Sequence, residues 1–144
     1  MDMGLEGKAA IVGGGSKGIG KGVAMGLAKE GCRVAICARN PDTLETAAQE
    51  IRSATGREVL PIVCDMAVYD DITRAVAEAA AAFGRLDIVV NNAGGPPTGT
   101  FETLDERYWQ HAIEQNLLSA VRTTREALPH LRRTGYGRII NITS

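Results

Sequence analysis

The stretch KAAIVGGGSKGIG, residues 8–20, decides the fold. Lys8 to Val12 form a short apolar run ended by glycine, which suits a strand buried on both faces. Gly13-Gly14-Gly15-Ser16-Lys17-Gly18-Ile19-Gly20 follows at once and opens a helix that should reach about Glu30. Missing Cβ atoms let this loop turn sharply, approach a pyrophosphate and pack helix against strand. The helix N-terminus adds free N–H groups and positive potential, so the placement points to phosphate binding.

The loop can be parsed in three ways. Gly13, Gly15 and Gly18 match the G-x-G-x-x-G of dinucleotide folds, and Gly14, Gly18 and Gly20 match a G-x-x-x-G-x-G variant. Gly15 to Lys21 nearly completes a nucleoside-triphosphate loop, but Gly22 stands where Ser or Thr must bind Mg²⁺. A strand-to-helix turn that uses glycine and binds nothing stays open at this point.

Outward from the loop, short β-branched runs recur at Arg33–Ala38, Val59–Cys64, Leu86–Asn91 and Arg138–Thr143. Helical patterns lie between them. Asn40 is a candidate N-cap with Pro41 at the first helical position, Leu44, Ala47, Ala48 and Ile51 on one face, and Gly56 beyond the end. Tyr69 to Phe83 carries Ile72, Val76, Ala79, Ala80 and Phe83 on one stripe and stops at Gly84. A long helix from about Asp105 to Arg133 is expected to turn Trp109, Ile113, Asn116, Leu117, Ala120, Val121, Thr124 and Leu128 inward, with Pro129 bending its final turns. Strict alternation of this kind predicts a doubly wound parallel α/β sheet of Rossmann type, strand order 3-2-1-4-5, built as a single dinucleotide-binding domain over residues 1–144.

The bulk numbers narrow the function classes. Sixteen Lys and Arg against 17 Asp and Glu give a formal net charge of -1, so no global field draws nucleic acid or an anionic membrane. No apolar run approaches the ~20 residues of a membrane span, and Met1 to Lys8 lacks a secretory pattern, so a cytoplasmic protein is expected. Cys32, Cys37 and Cys64 show no C-x-x-C spacing and read as core hydrophobes, while His111 and His130 lack clustered partners; no metal site is expected.

The end of the second strand speaks to the cofactor. NAD-specific folds place an acid there for the ribose 2′-OH. This chain has Cys37, Ala38, Arg39 and Asn40, and a guanidinium suits a 2′-phosphate, with Lys17 of the adjacent loop as a second cation. NADP(H) is the expected cofactor; the reading of both cations as ordinary solvated charges stays open.

The loop combines with Asp65 after the third strand, Asn91-Asn92-Ala93-Gly94 after the fourth, Asn116 in the long helix and GRIINITS at residues 137–144. Together these resemble the short-chain dehydrogenase/reductase family over essentially the whole chain. The wording NNAGG and GRIINITS is most similar to the 3-oxoacyl-carrier-protein reductase-like branch. The resemblance implies that Gly14, Ser16, Lys17, Gly18, Ile19 and Gly20 line the phosphates and Arg39 meets the 2′-phosphate. It implies further that Asp65 and Met66 flank the adenine, and that Asn92, Ala93 and Gly94 lie near the adenosine and ribose. Ser144 corresponds to the family's catalytic Ser, and Asn116 to the residue that helps organise a proton-relay water. Gly13 departs from the family, which usually has Thr there.

The family's catalytic Tyr and Lys, spaced Y-x-x-x-K, would fall after Ser144. Tyr69, Tyr108 and Tyr136 are followed four residues later by Thr73, Ala112 and Ile140, so none supplies the motif. The expectation is therefore a fold whose C-terminal part is absent, holding the cofactor half of an NADP(H)-dependent oxidoreductase that reduces a carbonyl substrate, with 3-oxoacyl compounds as the candidate class. A non-catalytic NADP(H)-binding module and a structural fragment without ligand are the alternatives. Apolar residues on more than one face of the 105–133 helix also predict a homo-oligomer joined through it.

Overall fold

The computed structural model describes residues 1–95 and 98–143. Its strands are β1 (Ala9–Gly13), β2 (Arg33–Ala38), β3 (Val59–Val63), β4 (Ile88–Asn91) and β5 (Arg138–Asn141). Its helices are α1 (Gly18–Lys29), α2 (Pro41–Thr55), α3 (Tyr69–Phe83), α4 (Glu106–Ala112) and α5 (Ser119–Thr134), with a π-helical turn, Ile113–Leu118, joining the last two. The sheet order is β3-β2-β1-β4-β5 and every pairing is parallel.

Alternate residues of a strand face opposite sides. Ile11, Ala35 and Val89 therefore pack with Ile72, Val76 and Phe83 of α3 and Ala127 and Leu131 of α5. Ala10, Val12, Val34 and Ile36 pack with Ala24 and Ala28 of α1 and Leu44, Ala48 and Ile51 of α2 on the other side. This two-sided burial is why β1 and β2 read as continuous apolar runs rather than as alternating ones. Asp87, wholly buried just before β4, accepts from Ala9 N at 2.9 Å and pairs with Arg85 at 2.7 Å, tying the start of β4 to the start of β1.

The helix ends follow local chemistry. Asn40 Oδ1 accepts from Asp42 N at 2.9 Å and Thr43 N at 3.1 Å, Pro41 opens α2, and Gly56 closes it with φ 67°. Gly84 ends α3 with φ 71°.

Two expectations are corrected. The long helix is broken by the π-helical turn, and its buried face is Gln115, Ser119, Thr123, Ala127 and Leu131. Trp109, Ile113, Leu117 and Val121 are exposed instead, and so is Asn116. Compared with the expected set Asn116, Ala120, Thr124 and Leu128, the inner face is displaced by one residue, a rotation of about 100°. Small and hydroxylic residues win that face because they permit close packing on α3 and satisfy themselves. Thr123 Oγ1 donates to Ser119 O at 2.7 Å and Ser119 Oγ to Gln115 O. The second correction concerns β5, expected to be buried on both faces: all four of its residues are exposed.

Candidate cofactor-binding site

A cleft of about 490 Å³ opens at the carboxyl ends of β1 to β4. Gly14, Ser16, Lys17, Gly18 and Ile19 form one wall; Arg39 stands at the end of β2, Asp65 and Met66 after β3, and Asn92, Ala93 and Gly94 after β4. The fold thus brings together eleven of the residues singled out as cofactor-binding. Gly20 does not line the cleft and lies buried beneath the loop. Asn116 does not line it either: its Nδ2 donates to Ala112 O at 3.1 Å within the π-helical turn. Ser144 lies outside the described residues, as do Pro96 and Pro97 of the Gly95–Gly99 loop.

The glycines are required by contact. A Cβ on Gly20 would stand 2.2 Å from Gly14 O, and one on Gly13 would stand 2.4 Å from Asn92 O. Gly14 and Gly18 have φ of 58° and 55°, a left-handed backbone that side chains rarely adopt. Asn92 Nδ2 donates to Gly13 O at 3.0 Å, so this amide pins the β4 end to the loop. The close approach to Asn92 O also explains why position 13 accepts glycine here.

The N-terminus of α1 carries no side-chain cap, whereas Asn40 caps α2. Gly18 and Ile19 of the first turn of α1 line the cleft beside Ser16 and Lys17, an arrangement suited to an anion. Lys17 and Arg39 are exposed on that same wall, and neither pairs with a carboxylate among the described residues. Asp65 is partly occupied with its own turn: Oδ1 accepts from Ala67 N at 2.9 Å. Beneath it lie Cys37 and Cys64, both buried and free. A hydrogen bond with Cys64 and complete burial push the Cys37 thiol well up, so it is an uncharged part of the floor.

Sequence reasoning missed Thr43 and Gln115 as lining residues, and used Asn40 only as a cap. Thr43 and Asn40 reach the cleft because α2 begins directly at the β2 end. Gln115 reaches it because the inner face is displaced at the π-helical turn, and only the four-residue spacing Gln115, Ser119, Thr123 and Ala127 could have signalled this.

A glycine cradle that a Cβ would fill, an uncapped helix start and two cations without a carboxylate partner among the described residues fit the diphosphate and 2′-phosphate of a dinucleotide. Fold and site together define a Rossmann-type parallel α/β sheet with a cleft of that shape and charge at its strand ends. The chain belongs to the short chain dehydrogenase family, whose sequence profile matches residues 8–144. It is 35% identical over 138 residues to an acetoacetyl-CoA reductase of Allochromatium vinosum, covering 95% of this chain and 56% of that one. A 3-oxoacyl-[acyl-carrier-protein] reductase of Staphylococcus epidermidis gives the same identity, 35%, over 138 residues and the same coverage, 95% and 56%. Among solved structures, the L-sorbose reductase of Gluconobacter frateurii, complexed with NADPH and L-sorbose, superposes with TM-score 0.93 at 38% identity over 98% of this chain and 54% of that one. The chain spans about half the length of the relatives it matches.

Proposed function

We propose that this chain is the cofactor-binding part of an NADP(H)-dependent carbonyl reductase, and that residues 1–144 form a single dinucleotide-binding domain incomplete relative to its family. The observation that carries the cofactor choice is Arg39 at the β2 end, beside Lys17, with no acid at position 38 and no carboxylate partner among the described residues. A guanidinium grips a phosphate through charge-assisted, often bidentate hydrogen bonds that a ribose hydroxyl does not return. The NADPH complex of the related L-sorbose reductase supports the same choice.

What the nicotinamide supplies when bound is a hydride for the carbonyl carbon. The chain's own residues hold and orient. Gly14 to Gly20 receive the diphosphate, Arg39 and Lys17 the 2′-phosphate, and Asp65, Met66, Asn92, Ala93 and Gly94 enclose the adenosine. By resemblance, Ser144 would hydrogen-bond the substrate oxygen and Asn116 would help order a proton-relay water. The relatives' names support a 3-oxoacyl thioester as substrate class.

We also assign self-association to the exposed stripe Trp109, Ile113, Leu117 and Val121, spaced four residues apart from α4 through the π-helical turn into α5. Phe101 extends it, its ring edge-on to Trp109 at 6.2 Å. Contiguous apolar surface of this kind marks a protein interface.

The test is Arg39→Ala titrated with NADPH and with NADH by calorimetry. Loss of one charge-assisted contact is worth ~1.5–3 kcal/mol, so NADPH affinity should fall roughly tenfold to a hundredfold while NADH barely responds. Equal affinities of the unmodified protein for both cofactors would overturn the reading.

A further inference from the structure

Gln115 is 9% exposed, sits on the π-helical turn and lines the cleft. Its amide makes no hydrogen bond among the described residues, yet it lies against the backbone of Gly94: a Cβ placed there would be 3.0 Å from Gln115 Nε2. The neighbouring amides are already engaged. Asn92 donates to Gly13 O and Asn116 to Ala112 O, so Gln115 alone on this wall keeps both a donor pair and an acceptor for something in the cleft. The amide opens into the cleft, and π-helical turns are frequent at functional sites.

The cleft's other contacts indicate what the amide meets. The cations Lys17 and Arg39 mark where a 2′-phosphate sits, and that phosphate is carried by the adenosine ribose. Gln115 shares one cleft with them and with Asp65 and Met66, and no residue of β5 lines it. The half of the ligand enclosed here is therefore the adenosine half, whose ring nitrogens, exocyclic amine and ribose hydroxyl all complement a primary amide.

We propose that Gln115 is a recognition residue for the adenosine half of the dinucleotide; this rests on the reading of the cleft as an NADP(H) site. Gln115 stabilises the loaded protein and not the empty one. That pair of effects separates it from an ordinary core residue.

The experiment compares the intact protein with Gln115→Leu and Gln115→Met, which keep the bulk and remove the amide. NADP⁺ and adenosine 2′,5′-bisphosphate, which lacks the nicotinamide half, are titrated calorimetrically, and ligand-free melting temperatures are recorded. One hydrogen bond corresponds to a loss of roughly 2- to 13-fold, and both ligands should lose the same factor. The ligand-free melting temperature should stay level or rise. Unchanged affinities overturn the proposal. A loss for NADP⁺ alone overturns it too, since the amide would then serve the nicotinamide half. Lower ligand-free melting in both variants would show that the amide has a protein partner, and would overturn it as well. If the unmodified protein binds neither ligand, the cofactor reading itself fails, and that result is distinct from all the others.

Discussion

Replacing Gly20 with Ala puts a methyl group 2.2 Å from Gly14 O and 2.7 Å from Asn92 Nδ2, where ordinary contact begins at 3.4 Å. The obstacle is a backbone carbonyl within the phosphate loop, not the far end of a flexible side chain. The loop must retreat by about 1 Å, and overpacking of this kind costs ~1–3 kcal/mol. Ala in place of Gly within a helix returns about 1 kcal/mol, so the net destabilisation should be at most ~2 kcal/mol. NADPH binding should suffer more, because the displaced loop is the one proposed to receive the diphosphate. Losing one charge-assisted bond of ~1.5–3 kcal/mol weakens NADPH roughly tenfold to a hundredfold. Gly22→Ala and Gly26→Ala are the matched controls: both sit exposed on α1, and a Cβ there meets nothing within 4 Å. They should gain ~0.5–1 kcal/mol in urea unfolding and leave NADPH affinity untouched. If Gly20→Ala also gains stability and binds like the unmodified protein, the close-approach argument for the loop is wrong.

Asp87→Asn removes a buried carboxylate that holds Arg85 and Ala9 N, and should lower stability by ~1–3 kcal/mol in urea unfolding. Burial alone would raise its pKa, but the Arg85 hydrogen bonds, the Ala9 N–H and the charges of Arg85 and Lys8 outweigh it and hold the group below its ordinary value. A depressed folded pKa gives stability that is complete above the unfolded value near ~4 and is lost as pH falls through the folded one. The gap between wild type and Asp87→Asn should therefore be constant at neutral pH and close in strong acid. Asn40→Ala, which strips the cap of α2, should cost ~1 kcal/mol in thermal or urea unfolding. Leu117→Glu with Val121→Glu charges the exposed apolar stripe, and light scattering should show a smaller species with a ligand-free melting temperature explained by dissociation alone.

Much of this is legible in the sequence because local chemistry and tertiary packing agree. The Lys8–Gly20 run predicts strand, loop and helix at once, and Asn40 with Pro41, Gly56 and Gly84 mark helix ends where the structure has them. The strand order is one of the few that right-handed parallel crossovers allow in a doubly wound sheet. The long helix is legible in extent but not in orientation. Counting apolar residues favours Trp109, Ile113, Leu117 and Val121 as its inner face, yet those are exposed, and Ser119 and Thr123 go inward because each hydroxyl returns to a carbonyl of its own helix. A π-helical turn leaves no plain mark in composition, which is why the inner face is read at Asn116 while Gln115 is the buried residue. The cleft-lining residues at strand ends are easier to find, since a parallel sheet gathers strand ends at one edge whatever the helices do.

The cleft between the Gly14–Gly20 loop and Asn92–Gly94 is proposed to hold NADP(H). A crystal structure of the intact protein grown with NADP⁺ tests it most directly. Such a crystal should show the diphosphate on the N-terminus of α1, the 2′-phosphate within hydrogen-bond distance of Arg39, and the adenosine against Asp65, Met66 and Gln115. A cofactor bound elsewhere, or one whose 2′-phosphate points away from Arg39 into solvent, would contradict it.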